Sequence, residues 1–123
     1  MDKVQIYDPV TNAWIISGEA NIPSMPNQRS GMGRAAFLGG EFYVIGGEAN
    51  SKENFASEAD DKGVYHFVDI YNPVCNVWRS GPEIPIGMHG MSPALYNQVI
   101  HITCGGVQTS ISKSKTHQYY GPA

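Results

Sequence analysis

A nine-residue stretch near the N-terminus returns almost unchanged in the middle of the chain. Residues 6–14 read Ile-Tyr-Asp-Pro-Val-Thr-Asn-Ala-Trp and residues 70–78 read Ile-Tyr-Asn-Pro-Val-Cys-Asn-Val-Trp, so that six of the nine positions are identical. A truncated third copy begins at residues 119–122, which read Tyr-Tyr-Gly-Pro. Because self-similarity at such a spacing is the mark of a repeat architecture, it constrains the fold before any single element is assigned.

The composition favours strands joined by turns. Glycine and proline supply 14 and 8 of the 123 residues, and Tyr, Val, Ile and Trp stand between them. No stretch approaches the run of about 18 apolar residues that a membrane span needs, and the N-terminus lacks the basic-then-apolar layout of a secretory signal. The sequence therefore predicts a loop-rich all-β protein with no membrane partner.

The charge of the chain is concentrated in one acidic segment. The net charge is −3, and residues 48–62 carry five acidic residues against two lysines, so the remainder is neutral. Nothing resembles the basic footprint that a nucleic acid or an anionic membrane requires, and the segment is interpreted as a solvated loop. The two cysteines, Cys75 and Cys104, fall at different repeat positions and are predicted to be unpaired. Unpaired thiols favour the cytoplasm, but the compartment stays open.

A second correspondence runs at an offset of 59 residues and aligns residues 35–45 with residues 94–104. The glycines that match in this alignment are Gly31 with Gly90, Gly46 with Gly105, and Gly47 with Gly106. Each half then holds a strand, a tight turn and a second strand that ends in Gly-Gly. The turn is Gly-Gly at residues 39–40 and Asn-Gln at residues 97–98, and Gly and Asn tolerate the positive φ that a two-residue hairpin demands.

The complete repeat is predicted to contain four strands, over residues 31–37, 42–45, 65–71 and 77–80. An Asx-Pro turn joins the third strand to the fourth, because Pro presets φ and lacks an N–H donor. Tyr7 and Tyr71 then lie in the third strand, while Trp14 and Trp78 lie at the same place in the fourth. A repeated Trp in a small all-β unit is interpreted as a packing anchor between neighbouring sheets.

These residues together resemble the kelch repeat, which forms one four-stranded antiparallel blade of a β-propeller. The resemblance rests on Arg29-x-Gly31, Phe37, the run Phe42-Tyr43-Val44-Ile45-Gly46-Gly47, Tyr71-Asn72-Pro73 and Asn76-x-Trp78. It implies a fragment of a kelch-type propeller. Residues 1–28 would end a first blade, residues 29–82 would form a complete blade with the acidic loop 48–62, and residues 83–123 would form part of the next.

About two blades are too few to close a ring of roughly four to eight. Because each blade buries its faces against neighbours, two isolated blades would leave apolar faces and a sheet edge exposed. Three arrangements are open: a fragment of a longer parent chain, which supplies the remaining blades, a ring built from several copies, or a compact two-blade unit. The start within a repeat favours the first.

The resemblance implies that the loops that lead into the first strand and those that leave the second contribute to a binding face. The candidate binding residues on these loops are Arg29, Ser30, Glu48, Asn50, His89, Gln108 and Ser110. Turn residues that satisfy local carbonyl groups, in an ordinary solvated loop, are the alternative for the same positions. No catalytic residue, metal ligand or cofactor is assigned. The histidines are not spaced as a zinc-binding pair, and the sequence contains no Cys-x-x-Cys motif.

The sequence therefore predicts a non-catalytic interaction module that binds a protein partner through its loops. The alternative is a fragment of a propeller enzyme that resembles galactose oxidase or handles glycans. Galactose oxidase holds copper with two histidines, tyrosines and a cysteine cross-linked to one tyrosine. Only the adjacent Tyr65 and His66 invite that comparison, because Cys75 and Cys104 lack any motif context.

Overall fold

The computed structural model describes residues 2–19, 21–49 and 59–121. Over these residues the chain forms nine β-strands in three antiparallel sheets. The strands are β1 Gln5–Asp8, β2 Ala13–Ile16, β3 Ala36–Leu38, β4 Glu41–Ile45, β5 Val68–Asn72, β6 Val77–Ser80, β7 Ala94–Tyr96, β8 Val99–Thr103 and β9 His117–Tyr120. The first sheet is β1–β2, the complete blade is β3–β4–β5–β6, and the last sheet is β7–β8–β9. The all-β, antiparallel prediction is confirmed.

Two strands of the complete blade are shorter than predicted. The first predicted strand, residues 31–37, is β3, and Gly31 lies outside it because its φ of 64° is incompatible with a β-ladder. The third predicted strand, residues 65–71, is β5, because Tyr65 instead donates its backbone N–H to the carbonyl of Gly47 at 2.9 Å. The acidic segment 48–62 lies largely outside the described residues, and so does Asn50.

The predicted hairpin turns are confirmed by their backbone geometry. Gly39 and Gly40 have φ values of 60° and 82°, and Asn97 and Gln98 have φ values of 48° and 61°. Positive φ at both central positions matches the right-handed twist of the strands that the turn joins. In the Asx-Pro turns the side chain of residue 8 or 72 accepts a hydrogen bond from the backbone N–H two positions later, at 2.8 and 2.9 Å.

The repeated tryptophans have the same cross-strand partner in both copies. Tyr7 lies opposite Trp14 and Tyr71 opposite Trp78, with ring centroids 5.1 and 5.0 Å apart. The indole N–H of Trp78 donates to the carbonyl of Pro23 at 3.3 Å, so this side chain ties the complete blade to the segment that follows the first sheet. Trp14 is largely exposed.

The core lies between the complete blade and the last sheet. The buried residues that form it are Ala36, Leu38, Ile45, Val68, Ile70, Ile84, Met88, Met91, Ile100 and Ile102. Strands β3, β5 and β8 each supply two of these side chains at alternate positions, because successive residues of a strand point to opposite faces. Strand β4 supplies Ile45, and the other three come from the segment between β6 and β7. Burial of apolar area at about 25 cal/mol per Å² makes this contact between sheets the main stabilising interaction.

The prediction that residues 35–45 align with residues 94–104 at an offset of 59 is wrong. Gly46 and Cys104 occupy equivalent positions, with φ values of 65° and 61°, and each donates its N–H at 2.9 Å to the residue preceding the next strand, Phe67 and Thr116. Cys104 and Gly105 are therefore the counterparts of Gly46 and Gly47, where the sequence pattern assigned Gly105 and Gly106. The segment before β7 is one residue shorter than the segment before β3, and this deletion shifts everything that follows.

Arg29 lies inside the complete blade. Its guanidinium forms an ion pair with Asp69 at 2.9 Å and donates to the carbonyl of Val44 at 3.0 Å, and only 3% of the residue is exposed. Burial lowers the pKa of Arg29, while the charge of Asp69 opposes that shift. The predicted contact role of Arg29 is corrected, because a buried guanidinium stabilises the blade and cannot reach a partner.

In the last sheet, two neutral side chains joined by a hydrogen bond take the place of this buried ion pair. Gln118 takes the position of Asp69, opposite Ile102 in the ladder, and its amide donates to the sulfur of Met88 at 3.3 Å and to the carbonyl of Ile86. The same buried position is therefore occupied by a charged pair in the complete blade and by an uncharged pair in the last sheet.

Replacing Arg29 alone should destabilise the chain strongly. R29M leaves the Asp69 carboxylate buried without its cation, and we expect the free energy of unfolding to fall by about 3–5 kcal/mol. The double variant R29M/D69Q copies the Met88–Gln118 arrangement and should recover most of that loss. Denaturant titration followed by circular dichroism measures both. Equal stability of R29M and the wild type, or no recovery in the double variant, would contradict the assignment.

Candidate functional site

The two ends of the sheets differ in character. At one end, which we call the hairpin end, the strands are joined by the short turns 9–12, 39–40, 73–76 and 97–98. At the other, which we call the loop end, lie the long connections β4–β5 and β8–β9 and the segments leading into β3 and β7. The predicted binding residues that the structure describes, Arg29 apart, all lie at the loop end.

Glu48 links two sheets at the loop end. Its backbone forms β-bridges with Ser30 and Val64, which fixes the start of the β4–β5 connection. Its carboxylate accepts the backbone N–H of Ser110 at 2.8 Å and lies 3.7 Å from Nδ1 of His89. Since Ser110 and His89 belong to the last sheet's loops, one side chain of the complete blade holds the neighbouring loop in place.

His89 fixes the same loop from the other side. Its backbone pairs with Gly106 through two hydrogen bonds of 2.9 Å, and its ring Nε2 lies 2.8 Å from the carbonyl of Gln108. The hydroxyl of Ser112 also donates to that carbonyl, at 2.7 Å. The carbonyl of Gln108 is therefore engaged twice, while the Gln108 residue as a whole remains exposed to solvent.

Five of the seven predicted binding residues therefore gather in one place. These residues are Ser30, Glu48, His89, Gln108 and Ser110. Arg29 lies in the blade interior, and Asn50 is outside the described residues. The arrangement offers hydrogen-bond donors and acceptors on a loop that internal contacts hold in one conformation.

An exposed apolar residue on this loop was missed by the sequence analysis. Ile111 follows Ser110 directly and is 101% exposed relative to the free residue. Val10 and Val74 are nearly as exposed, but they occupy the same position of the repeated Asx-Pro turn at the hairpin end, so the turn explains them. Ile111 has no such repeat counterpart. A lone β-branched apolar residue inside the Ser- and Lys-rich stretch 108–115 was the signal available.

Tyr65 and His66 have separate surroundings despite being adjacent. The Tyr65 ring is buried and stacks on Phe67 at 5.3 Å. The His66 ring lies 2.8 Å from the carbonyl of Ile84 and 3.1 Å from the carboxylate of Asp60. The pKa of Asp60 is lowered: partial burial opposes ionisation, but hydrogen bonds from backbone N–H groups and from His66 outweigh it. These contacts assign both residues to the structure of the blade.

A groove of about 750 Å³ lies between β1 and the face of the complete blade that carries Phe42, Val44 and Trp78. Ile100 and Ile102 take the places of Phe42 and Val44 in the last sheet, where a complete neighbour covers them. Phe42 is 40% exposed, whereas Ile100 is 0% exposed. The groove is therefore the space that the inner strands of a complete preceding blade fill, and we do not interpret it as a ligand site.

Within the described residues, no set of three or more His, Cys, Asp and Glu side chains is grouped to hold a metal ion. Nor does that part of the chain contain a helix with the length and apolarity of a membrane span.

Comparisons with known proteins place the repeat in a family. The kelch repeat and BTB domain-containing protein 12 of Danio rerio is 35% identical over 83 residues, which are 64% of this chain and 11% of that protein. The kelch-like protein terF of Aspergillus terreus is 25% identical over 104 residues, which are 84% of this chain and 21% of that protein. The chain thus spans a small part of the curated relatives that it matches. No family model matches the chain.

The fold has a solved counterpart. The structure of YjhT, a kelch-type propeller, superposes with a TM-score of 0.58 and 27% sequence identity, covering 78% of this chain and 25% of that one. The shared architecture agrees with the antiparallel sheets of this chain. Together, these similarities show that the chain has the fold of a kelch-type β-propeller fragment and is similar to kelch-repeat proteins.

Proposed function

We propose that this kelch-repeat module binds another protein, and that the contact surface is the loop end, centred on the β8–β9 connection. One observation carries the proposal: Ile111 is fully exposed on a loop that Glu48 and His89 hold in place. Protein interfaces combine an apolar centre with a polar rim, and Ile111 among the polar residues of this loop has that arrangement. The repeat sheets are the rigid support, because binding residues lie mostly on loops positioned by a scaffold.

The conformation of the loop supports the same proposal. A loop that is already ordered loses less conformational entropy on binding than a loose one, so its contacts contribute more to affinity. Here the ordering contacts come from a neighbouring sheet, through the 2.8 Å hydrogen bond between the Ser110 N–H and the Glu48 carboxylate. The exposed side chains of Gln108 and Ser110 then stand beside Ile111 in a fixed arrangement. A polar rim around one apolar residue favours a protein surface as the partner.

Removing the Glu48 carboxylate should loosen the loop. In E48A the Ser110 amide loses a charge-assisted hydrogen bond, which contributes about 1.5–3 kcal/mol, and its hydrogen exchange should accelerate about tenfold or more. Exchange measured by NMR on the full chain reports this directly. E83A, which removes an exposed carboxylate elsewhere, is the control and should leave the Ser110 amide unchanged. Unaltered exchange in E48A would show that other contacts order the loop.

Replacing Ile111 should weaken partner binding without unfolding the chain. Partners captured from an extract of the source cells would be identified by mass spectrometry, and the dissociation constant of the purified partner would then be measured. We expect I111D to weaken binding by about tenfold or more, as loss of an interface anchor does. V74D, an equally exposed valine at the hairpin end, is the matched control. Loss of binding in V74D with retention in I111D would place the contact surface at the opposite end.

A further inference from the structure

The outer face of the last sheet has an unusual chemistry for its place in the fold. The positions that form the core of the complete blade on this side are Ala36, Leu38, Tyr43, Ile45, Val68 and Ile70. The ladder registers place Ala94, Tyr96, His101, Thr103, His117 and Tyr119 at the corresponding positions of the last sheet. A mainly aliphatic face has thus become one of imidazole, phenol and hydroxyl groups.

Two histidines meet on this face. In the ladder His101 lies opposite Tyr119 and His117 lies opposite Thr103, so the two imidazoles are diagonal neighbours on adjacent strands. Nδ1 of His101 lies 3.0 Å from Nε2 of His117, and the ring centroids are 5.3 Å apart. The ring of Tyr119 lies 6.3 Å from His101, and that of Tyr96 lies 6.4 Å from it. The pair lies on a rigid sheet, and His117 is exposed to solvent.

The separation of the two nitrogens matches a chelate. Two nitrogens bound to one metal ion at about 2.1 Å and at right angles lie about 3.0 Å apart, whereas tetrahedral geometry separates them by about 3.4 Å. Right-angled nitrogen ligands are the preference of Cu²⁺ and Ni²⁺, which favour tetragonal sites, and imidazole suits both ions. We propose that His101 and His117 form a two-histidine site for a divalent transition-metal ion of this class, with water at the remaining coordination positions.

Occupation of the site requires one proton to move. In the metal-free pair a single ring proton lies between the two nitrogens, because one imidazole must donate and the other accept. A metal ion takes a lone pair from each of these nitrogens, so both rings must turn until the two lone pairs converge on the ion. The donor ring also adopts its other tautomer and carries its proton on the distal nitrogen. No net proton is released when both rings are neutral. Among the described residues no third His, Cys, Asp or Glu joins the pair, so coordination by protein is limited to two nitrogens.

Titration of the full chain with Ni²⁺, followed by isothermal calorimetry, tests the site. We expect one ion to bind per chain, and we expect H101A and H117A each to lower the association constant by about tenfold or more, because one imidazole alone cannot chelate. The double variant has no imidazole left at the site and should bind at least as weakly as either single one. H66N removes a histidine of the complete blade and should retain the wild-type constant. Circular dichroism checks that every variant keeps its fold.

A second measurement locates the ion. Paramagnetic Ni²⁺ should broaden the backbone amide signals of residues 101–103 and 117–119 before any others. C104S tests the exposed thiol that follows β8, and we expect it to bind as the wild type does. Wild-type affinity in H101A or H117A, loss of binding in H66N or C104S, or broadening confined to other residues would each overturn the proposal.

Discussion

Burial of one face of each sheet on the next sheet is the interaction on which the rest of this structure depends. Each sheet is small and twisted, and none of them has enough apolar contacts within itself to fold alone. Where the neighbour is complete, as it is for Ile100 and Ile102, the side chains are fully buried. Where the neighbour provides only two strands, the equivalent Phe42 remains 40% exposed. The strand alternation, the tight hairpins and the repeated tyrosine–tryptophan pairs all serve this contact between sheets.

Much of the fold could be predicted from local chemistry. The turns at residues 39–40 and 97–98 contain residues that accept positive φ, and Asn72-Pro73 carries both the restricted φ and the side-chain acceptor that its turn uses. The alignment failed where the signal was weakest. A single deletion before β7 moved the second repeat by one position, and Cys104, a residue that seldom has a positive φ, stands where a glycine was expected. The correct alignment of the two repeats is shown by the backbone hydrogen bonds of Gly46 and Cys104, which directly follow β4 and β8.

The candidate site was predictable in position but not in composition. The kelch resemblance indicated the loops that lead into the first strand and leave the second, and five of the seven residues chosen there lie together. Sequence could not separate a charged residue that faces a partner from one that faces the interior. Arg29 was placed on the binding face because the kelch resemblance implies that the loop leading into the first strand lies there, yet Asp69, forty positions away, makes its burial possible. Ile111 was overlooked for the opposite reason, since its full exposure depends on how a loop folds.

The ion pair between Arg29 and Asp69 also has an evolutionary consequence. The two residues come from opposite halves of the same blade, on either side of the long β4–β5 connection. The next repeat solves the same problem with Met88 and Gln118, so neither half is interchangeable with its counterpart. A crossover between repeats at that connection would strand a buried cation or carboxylate and sacrifice much of the chain's stability. An exchange between these repeats therefore preserves stability only when both members of the buried pair come from the same repeat.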